Sequence, residues 1–238
     1  TMLATGDFDS LKRLFVYFRR FWELNRIRAE RFYHAGGQHN TEMTLSCGLQ
    51  SEDIYGLERE GKPDGWSDNR WGGAIDISPG LELTHLMFAY YLYTMDEEFL
   101  QTQALPYARE LLRYIETRFE DREKGKIVIG PLQSVETYFD TVNPTPVIAG
   151  MRAVLRDILE LPEQLVDDRD FFERIYEMTP EIPTGVWNGE KVVKPAEEYE
   201  DVRRNVEAPE LYAIYPFGLM GKYEDGKKAY HTLSLIHI

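Results

Sequence analysis

The chain has 238 residues, 43% of them hydrophobic and 13% aromatic, with a formal charge of −14 and one cysteine. This suits one large or two small globular domains and excludes a disordered chain. The negative field argues against nucleic acid, which is bound by displacing counterions with Lys and Arg. The lone Cys47 excludes an internal disulfide and a cysteine zinc site, and no stretch is apolar and long enough to cross a membrane.

From Asp7 to Ala35 apolar residues recur at helical spacing (Phe8, Leu11, Leu14, Phe15, Phe18, Phe21, Trp22), with Asp7 or Asp9 as cap and Gly36-Gly37 as stop. Arg13, Arg19, Arg20, Arg26, Arg28 and Arg31 crowd this segment and read as a solvated face that pairs with the acidic excess. Residues 38–78 are rich in Gly, Asp, Asn and Ser and read as a long, ordered, functional loop. "PGLELTHLMFAYYLYTMD" is a helix so poor in charge that it must be buried on several sides. Asp96 caps the helix that packs back on it, and Pro106 should kink or divide that second helix.

"DREKGKIVIG" turns through Gly125 into a short extended piece. The stretch "IGPLQSVETYFDTVNPTPVIAG", Ile129 to Gly150, then carries far more polar chemistry than a connection needs. Asn143 reads first as a helix N-cap before Pro144, and second as a substrate contact. Helices follow over "PTPVIAGMRAVLRDILEL" and near Asp168 to Met178, and "TGVWNGEKVVKP" is a β-hairpin about Asn188-Gly189. Helices dominate, and βα alternation, a glycine phosphate loop and sustained heptads are absent, which disfavours Rossmann, P-loop and coiled-coil readings.

Glu136 is the first candidate for chemistry. Glycoside cleavage needs a carboxylic acid to protonate the leaving oxygen, and a Glu beside Tyr138 and Phe139 can have its pKa raised by desolvation. The bland alternative is an ion pair with a nearby Arg. "QHNTEMT" gathers His39, Asn40 and Glu42 into a polar loop suited to a sugar, while a metal there lacks a third ligand in register. Trp66, Trp71 and Trp187 lie outside apolar helix faces, where a flat ring can match the C–H face of a pyranose or simply pack under a loop. Asn205, Glu207, Glu210, Tyr212 and Tyr215 form a third constellation with several candidates for a second carboxylate.

Read together, "NRIRAERFYHAGGQHNTEMT", "LELTHLMFAYYLYTMDEEFL", "IGPLQSVETYFDTVNPTPVIAGMRAVL" and "VEAPELYAIYPFGLMG" resemble, in order, the motifs of bacterial six-hairpin glycosidases related to glycoside hydrolase family 95, the α-L-fucosidase type. The resemblance spans about Asp7 to Thr232. It implies an all-α fold, an (α/α)6 toroid of which residues 1–232 are the central part, with a short β-hairpin near 184–195 and β-rich domains flanking it in the parent chain. It implies an exported enzyme, no cofactor and no metal. "SVETY" aligns Glu136 with the family's general acid, with Val135 in place of the usual Pro. "HNTE" matches a His-Asn-Thr-Asp stretch, with Glu42 in place of Asp. Arg204-Asn205-Val206-Glu207 stands where the family has a His-rich run preceded by an Asp, and its Asn-containing base motif would fall before Thr1.

The expected function is therefore an inverting glycoside hydrolase acting on plant or host glycans. Glu136 is its acid, and His39, Asn40, Glu42, Trp71, Tyr138, Asn143 and Glu207 line the oligosaccharide site. Two other readings stay open: a non-catalytic carbohydrate-binding or scaffold protein that lost its base, and a glycoside phosphorylase. "LSLIHI", Leu233 to Ile238, resembles a translated sequencing adapter and is set aside as an artefact.

Overall fold

A computed structural model describes residues 2–40, 44–48, 61 and 76–220. Glu42, Trp66, Trp71 and the expected artefact 233–238 lie outside the described residues.

The first periodic segment forms two working helices rather than one. After a single turn, α1 (Met2–Thr5), come α2 (Phe8–Arg19) and α3 (Trp22–Tyr33). Asp7 caps α2 by accepting from the Ser10 N–H at 3.2 Å. The break falls at Phe21, where neither Gly nor Pro announces it. Phe21 is buried, edge-on to Tyr17 with ring centroids 5.1 Å apart, and pressed against Gly48. Tertiary seating of that ring, not local propensity, redirects the chain. One basic residue departs from the expected solvated face: Arg28 is 4% exposed, bonding Asn25 Oδ1 at 2.7 Å and the Gly48 carbonyl.

Helix α4 (Ser78–Thr94) is the centre of the structure, with Leu81, Met87, Phe88, Tyr90 and Tyr91 all buried. Met95, in the left-handed region, ends it, and Asp96 caps the short α5 (Glu97–Phe99) through the Phe99 N–H at 3.0 Å. Pro106 is accommodated by a π turn at Leu100–Ala104, which places it in the first turn of α6 (Leu105–Arg118), where a missing N–H leaves no gap in the ladder.

The expected all-α toroid is overturned from here on. Of the described residues 53% are helical and 14% are strand, and the strands form three small antiparallel sheets. β1 (Arg122–Glu123) pairs with β2 (Lys126–Ile127). β3 (Leu132–Ser134) pairs with β4 (Tyr138–Pro144), and β4 pairs in turn with β7 (Ala196–Glu198). β5 (Thr184–Trp187) and β6 (Glu190–Val193) make the hairpin about Asn188-Gly189. The polar stretch before α7 is thus a buried hairpin and not a loop. Its sequence hides this because a bulge between Leu132 and Ser134 interrupts the alternation, and Val135, Asp140 and Asn143 all take positive φ.

Helix α7 (Thr145–Leu159) packs against α4, α8 (Arg169–Met178) and a 3-10 turn at Pro209–Ala213. Its start is tied to the link between β6 and β7: the Thr145 N–H donates to the Pro195 carbonyl at 2.9 Å and its hydroxyl to that of Lys194 at 2.5 Å. Asn143 is not the expected cap, since Pro144 holds that position. Instead Asn143 Oδ1 accepts from the Ile129 N–H at 2.8 Å and its Nδ2 donates to Glu197 at 2.6 Å, pinning the hairpin to β7.

Candidate functional site

Carboxyl groups from three separate parts of the chain converge beside the N-terminal turns of α4. Asp76 precedes the helix and Glu82 lies in it; Glu136 sits in the turn between β3 and β4; Glu207 comes from the segment leading into the 3-10 turn and Glu210 from that turn itself. The strand bonds of β4 and the packing of α7 between α4 and the 3-10 turn hold these parts in register.

Glu136 is held at both ends. Its backbone N–H donates to Glu207 Oε2 at 3.0 Å, and its own Oε2 accepts from Asn205 Nδ2 at 2.9 Å. Around it, Thr137 Oγ1 donates to the Glu207 carbonyl at 3.0 Å and the Arg204 N–H to the Thr137 carbonyl at 3.0 Å. Arg203 bonds the same Glu207 carbonyl at 2.8 Å. Val135, just before, has φ 45°, a conformation that a β-branched residue adopts only where its surroundings enforce it. The turn is fixed in one geometry, and that geometry presents the Glu136 carboxyl to Asn205.

Asp76 is 2% exposed and accepts from the Ser78 N–H at 2.8 Å. Burial pushes its carboxyl up to about 6, against the relief of that hydrogen bond, and the charges of Glu207 and Glu136 push the same way. Glu82 is pushed up to about 7, again chiefly by burial and then by the charge of Asp76, while a hydrogen bond from Tyr212 opposes the shift. Glu210 is raised by burial, with Arg203 opposing. Tyr138 is also raised by burial, with the Glu210 charge adding to it, and its ring meets Tyr199 edge-on at 5.2 Å. Carboxyls raised in this way by burial are suited to holding and releasing a proton near neutral pH.

The structure therefore brings Glu136, Glu207, Tyr138 and Asn205 into one neighbourhood. Of the other expected site residues, those that are described fall elsewhere. His39 is fully buried between the rings of Tyr33 and Tyr114, 4.6 and 5.1 Å away, and neither ring nitrogen has a hydrogen-bond partner among the described residues. Burial, with Arg28 and Arg118 nearby, pushes it down to about 3, so it stays neutral. Asn40 belongs to a polar core, accepting from Asn25 Nδ2 at 2.7 Å and the Tyr107 hydroxyl at 2.9 Å beside a cavity of about 50 Å³. Asn143 is the sheet pin described above, and Trp187 stands on the exposed β5–β6 hairpin, 45% exposed. Among the described residues no group of three His, Cys, Asp or Glu side chains is suited to a metal ion, and no helix is long and apolar enough to cross a membrane.

No family model and no curated protein matches the chain. The assignment of chemistry rests on the site itself.

Asp76 and Glu82 are the residues that sequence reasoning missed. One signal was present: Glu82 is the only Asp, Glu, Lys or Arg in the whole of α4, and a lone acid in a helix buried on several sides must be held there by something. Asp76 had no such signal inside its polar loop.

A pH dependence of stability follows. Folding raises both carboxyls above their ordinary values, so the folded state binds protons more tightly than the unfolded one, and stability falls as pH rises from about 4 to about 7. At about 1.4 kcal/mol per unit, and with two groups that partly share one shift, the loss is on the order of 3 kcal/mol. Glu82→Gln mimics the protonated form. Urea unfolding should find it equal to the wild type near pH 4 and more stable at pH 8; equal stability at both values would remove Glu82 from this account.

Proposed function

We propose that the protein is a glycoside hydrolase in which Glu136 is the general acid. The observation that carries the reading is the placement of Glu136 on a strained, doubly tethered turn, facing carboxyls that belong to other elements. Hydrolysis of a glycosidic bond uses such a pair, one group protonating the leaving oxygen while the other serves the attacking water. The order of motifs that resembles glycoside hydrolase family 95 supports the same reaction, and the half-buried Tyr199 and Tyr212 supply aromatic surface of the kind that sugar rings favour.

Attack of a water on the anomeric carbon from the face opposite the leaving group, as Glu136 protonates the departing oxygen, inverts the anomeric centre. Incubation of the purified protein with a panel of aryl glycosides and plant or host oligosaccharides, followed by proton NMR of the first product, should show hydrolysis with inversion. Binding without hydrolysis across the panel would instead support a carbohydrate-binding protein, and strict dependence on inorganic phosphate a phosphorylase; either result rejects the proposal.

A further inference from the structure

A carboxyl that acts as an acid has two oxygens, and the one with the proton must face the leaving group. Which oxygen of Glu136 that is follows from its neighbour. Residues 203–207 form neither helix nor strand, and bonds to the turn around Glu136 hold them in place. The Arg204 N–H donates to the Thr137 carbonyl at 3.0 Å, and the Glu207 carbonyl accepts from Thr137 Oγ1 at 3.0 Å. Asn205, half-buried, is thus delivered to the turn by anchors on both sides of it. Its Oδ1 accepts from the Val206 N–H at 2.7 Å. A backbone N–H can only donate, so the amide oxygen sits there and the amide Nδ2 faces Glu136, 2.9 Å from Oε2. The carbonyl oxygen of a carboxylic acid accepts better than its hydroxyl oxygen. The bond from Asn205 therefore makes Oε2 the carbonyl oxygen of the acid form and leaves the proton on Oε1.

We propose that Asn205 is the positioning residue of the general acid: it fixes the rotation of the Glu136 carboxyl and assigns the transferable proton to Oε1. This rests on the glycoside hydrolase reading above. As the glycosidic C–O bond breaks, its electron pair stays on the leaving oxygen, which takes the proton from Oε1. The electron pair of that O–H bond stays on Glu136, which becomes a carboxylate. The bond from Asn205 is then charge-assisted and about twice as strong, so it stabilises the transition state more than the bound substrate. The attacking water bonds to the anomeric carbon and releases one proton to solvent, and Glu136 regains one from solvent. The two hydrogens of the water are thus divided between the two products.

The test measures kcat and KM of the purified protein, Asn205→Ala and Asn205→Asp on an oligosaccharide the wild type cleaves and on aryl glycosides with leaving groups from phenol to dinitrophenol. Asn205→Ala should lower kcat on the oligosaccharide by about 10-fold to 100-fold with KM within a few-fold, the worth of one hydrogen bond to a developing charge. On the dinitrophenyl glycoside, which needs no protonation, the loss should stay within about threefold, so that kcat falls more steeply with leaving-group basicity than in the wild type. Asn205→Asp keeps the shape of the side chain and the bond from Val206 but loses the amide donor. It should steepen the dependence as Asn205→Ala does, whereas a residue that merely holds the segment would be replaced without loss. In Glu136→Gln, which has no proton to place, adding Asn205→Ala should cost less than about twofold more on the oligosaccharide. Should Asn205→Ala fail to fold, Asn205→Asp decides alone. An equal loss on every leaving group, or no loss, overturns the assignment while hydrolysis by the wild type keeps the hydrolase reading. A wild-type protein that hydrolyses nothing overturns both.

Discussion

Replacing Glu136 by Gln should lower the turnover of glycosides with poor leaving groups by about 10²–10⁴-fold and change KM by no more than a few-fold. The substitution keeps the shape of the side chain. Its amide oxygen can still accept from Asn205 Nδ2, and the bond from residue 136 to Glu207 runs through the backbone N–H and survives unchanged. What is lost is the proton. An alkoxide leaving group from an unactivated sugar must be protonated as it departs, so the barrier rises by the full value of that transfer. A dinitrophenolate needs no such help, and the loss on its glycoside should be small. The pattern across leaving groups separates an acid from a residue that merely supports the turn, whose removal would depress all substrates alike. Wild-type turnover of the oligosaccharide in this variant would take Glu136 out of the mechanism.

The second large effect concerns the packing that holds the site in register. Phe217 is fully buried against His85 of α4, with ring centroids 5.8 Å apart, and against Tyr212, which bonds Glu82. It also fills the place left by Gly150 of α7, where a Cβ would lie 2.8 Å from Phe217 Cζ and 2.7 Å from Leu81 Cβ. Phe217→Ala should therefore cost about 3–5 kcal/mol, the transfer of a buried ring plus the cavity it leaves. Gly150→Ala should cost about 1–3 kcal/mol by overpacking the contact between α4 and α7. The two changes touch the same space, so their sum should exceed the double variant by at least about 0.5 kcal/mol, the new methyl filling part of the cavity. Urea unfolding of the four proteins measures this. Strict additivity would show that Phe217 does not seat on Gly150, and a cost of Phe217→Ala below about 1 kcal/mol would show that the site is held by other contacts.

What the sequence determined by itself was local. The cap at Asp7, the cap at Asp96, the buried helix around Leu81 to Tyr91, the helix after Asn143-Pro144 and the hairpin at Asn188-Gly189 were all legible, because each depends on side chains within a few residues of one another. The polar density around Glu136 was legible for the same reason, as was the candidacy of Glu207. Tertiary structure decided the rest. The break at Phe21 comes from Tyr17 and Gly48, and the π turn before Pro106 from keeping α6 against α4 and α7. The β3–β4–β7 sheet joins Val142 to Glu198 and Pro144 to Ala196, partners too far apart for any periodicity to reveal. That sheet corrected the all-α expectation. His39 and Asn40, polar in sequence and expected at a sugar, are core groups because α3, α4 and α6 close over them. Asp76 and Glu82 meet Glu136 and Glu207 only when α4 is laid beside the hairpin, and their raised carboxyls are products of that burial. Desolvation and like-charge proximity act through space, so the chemistry of the site became readable only once the chain was folded.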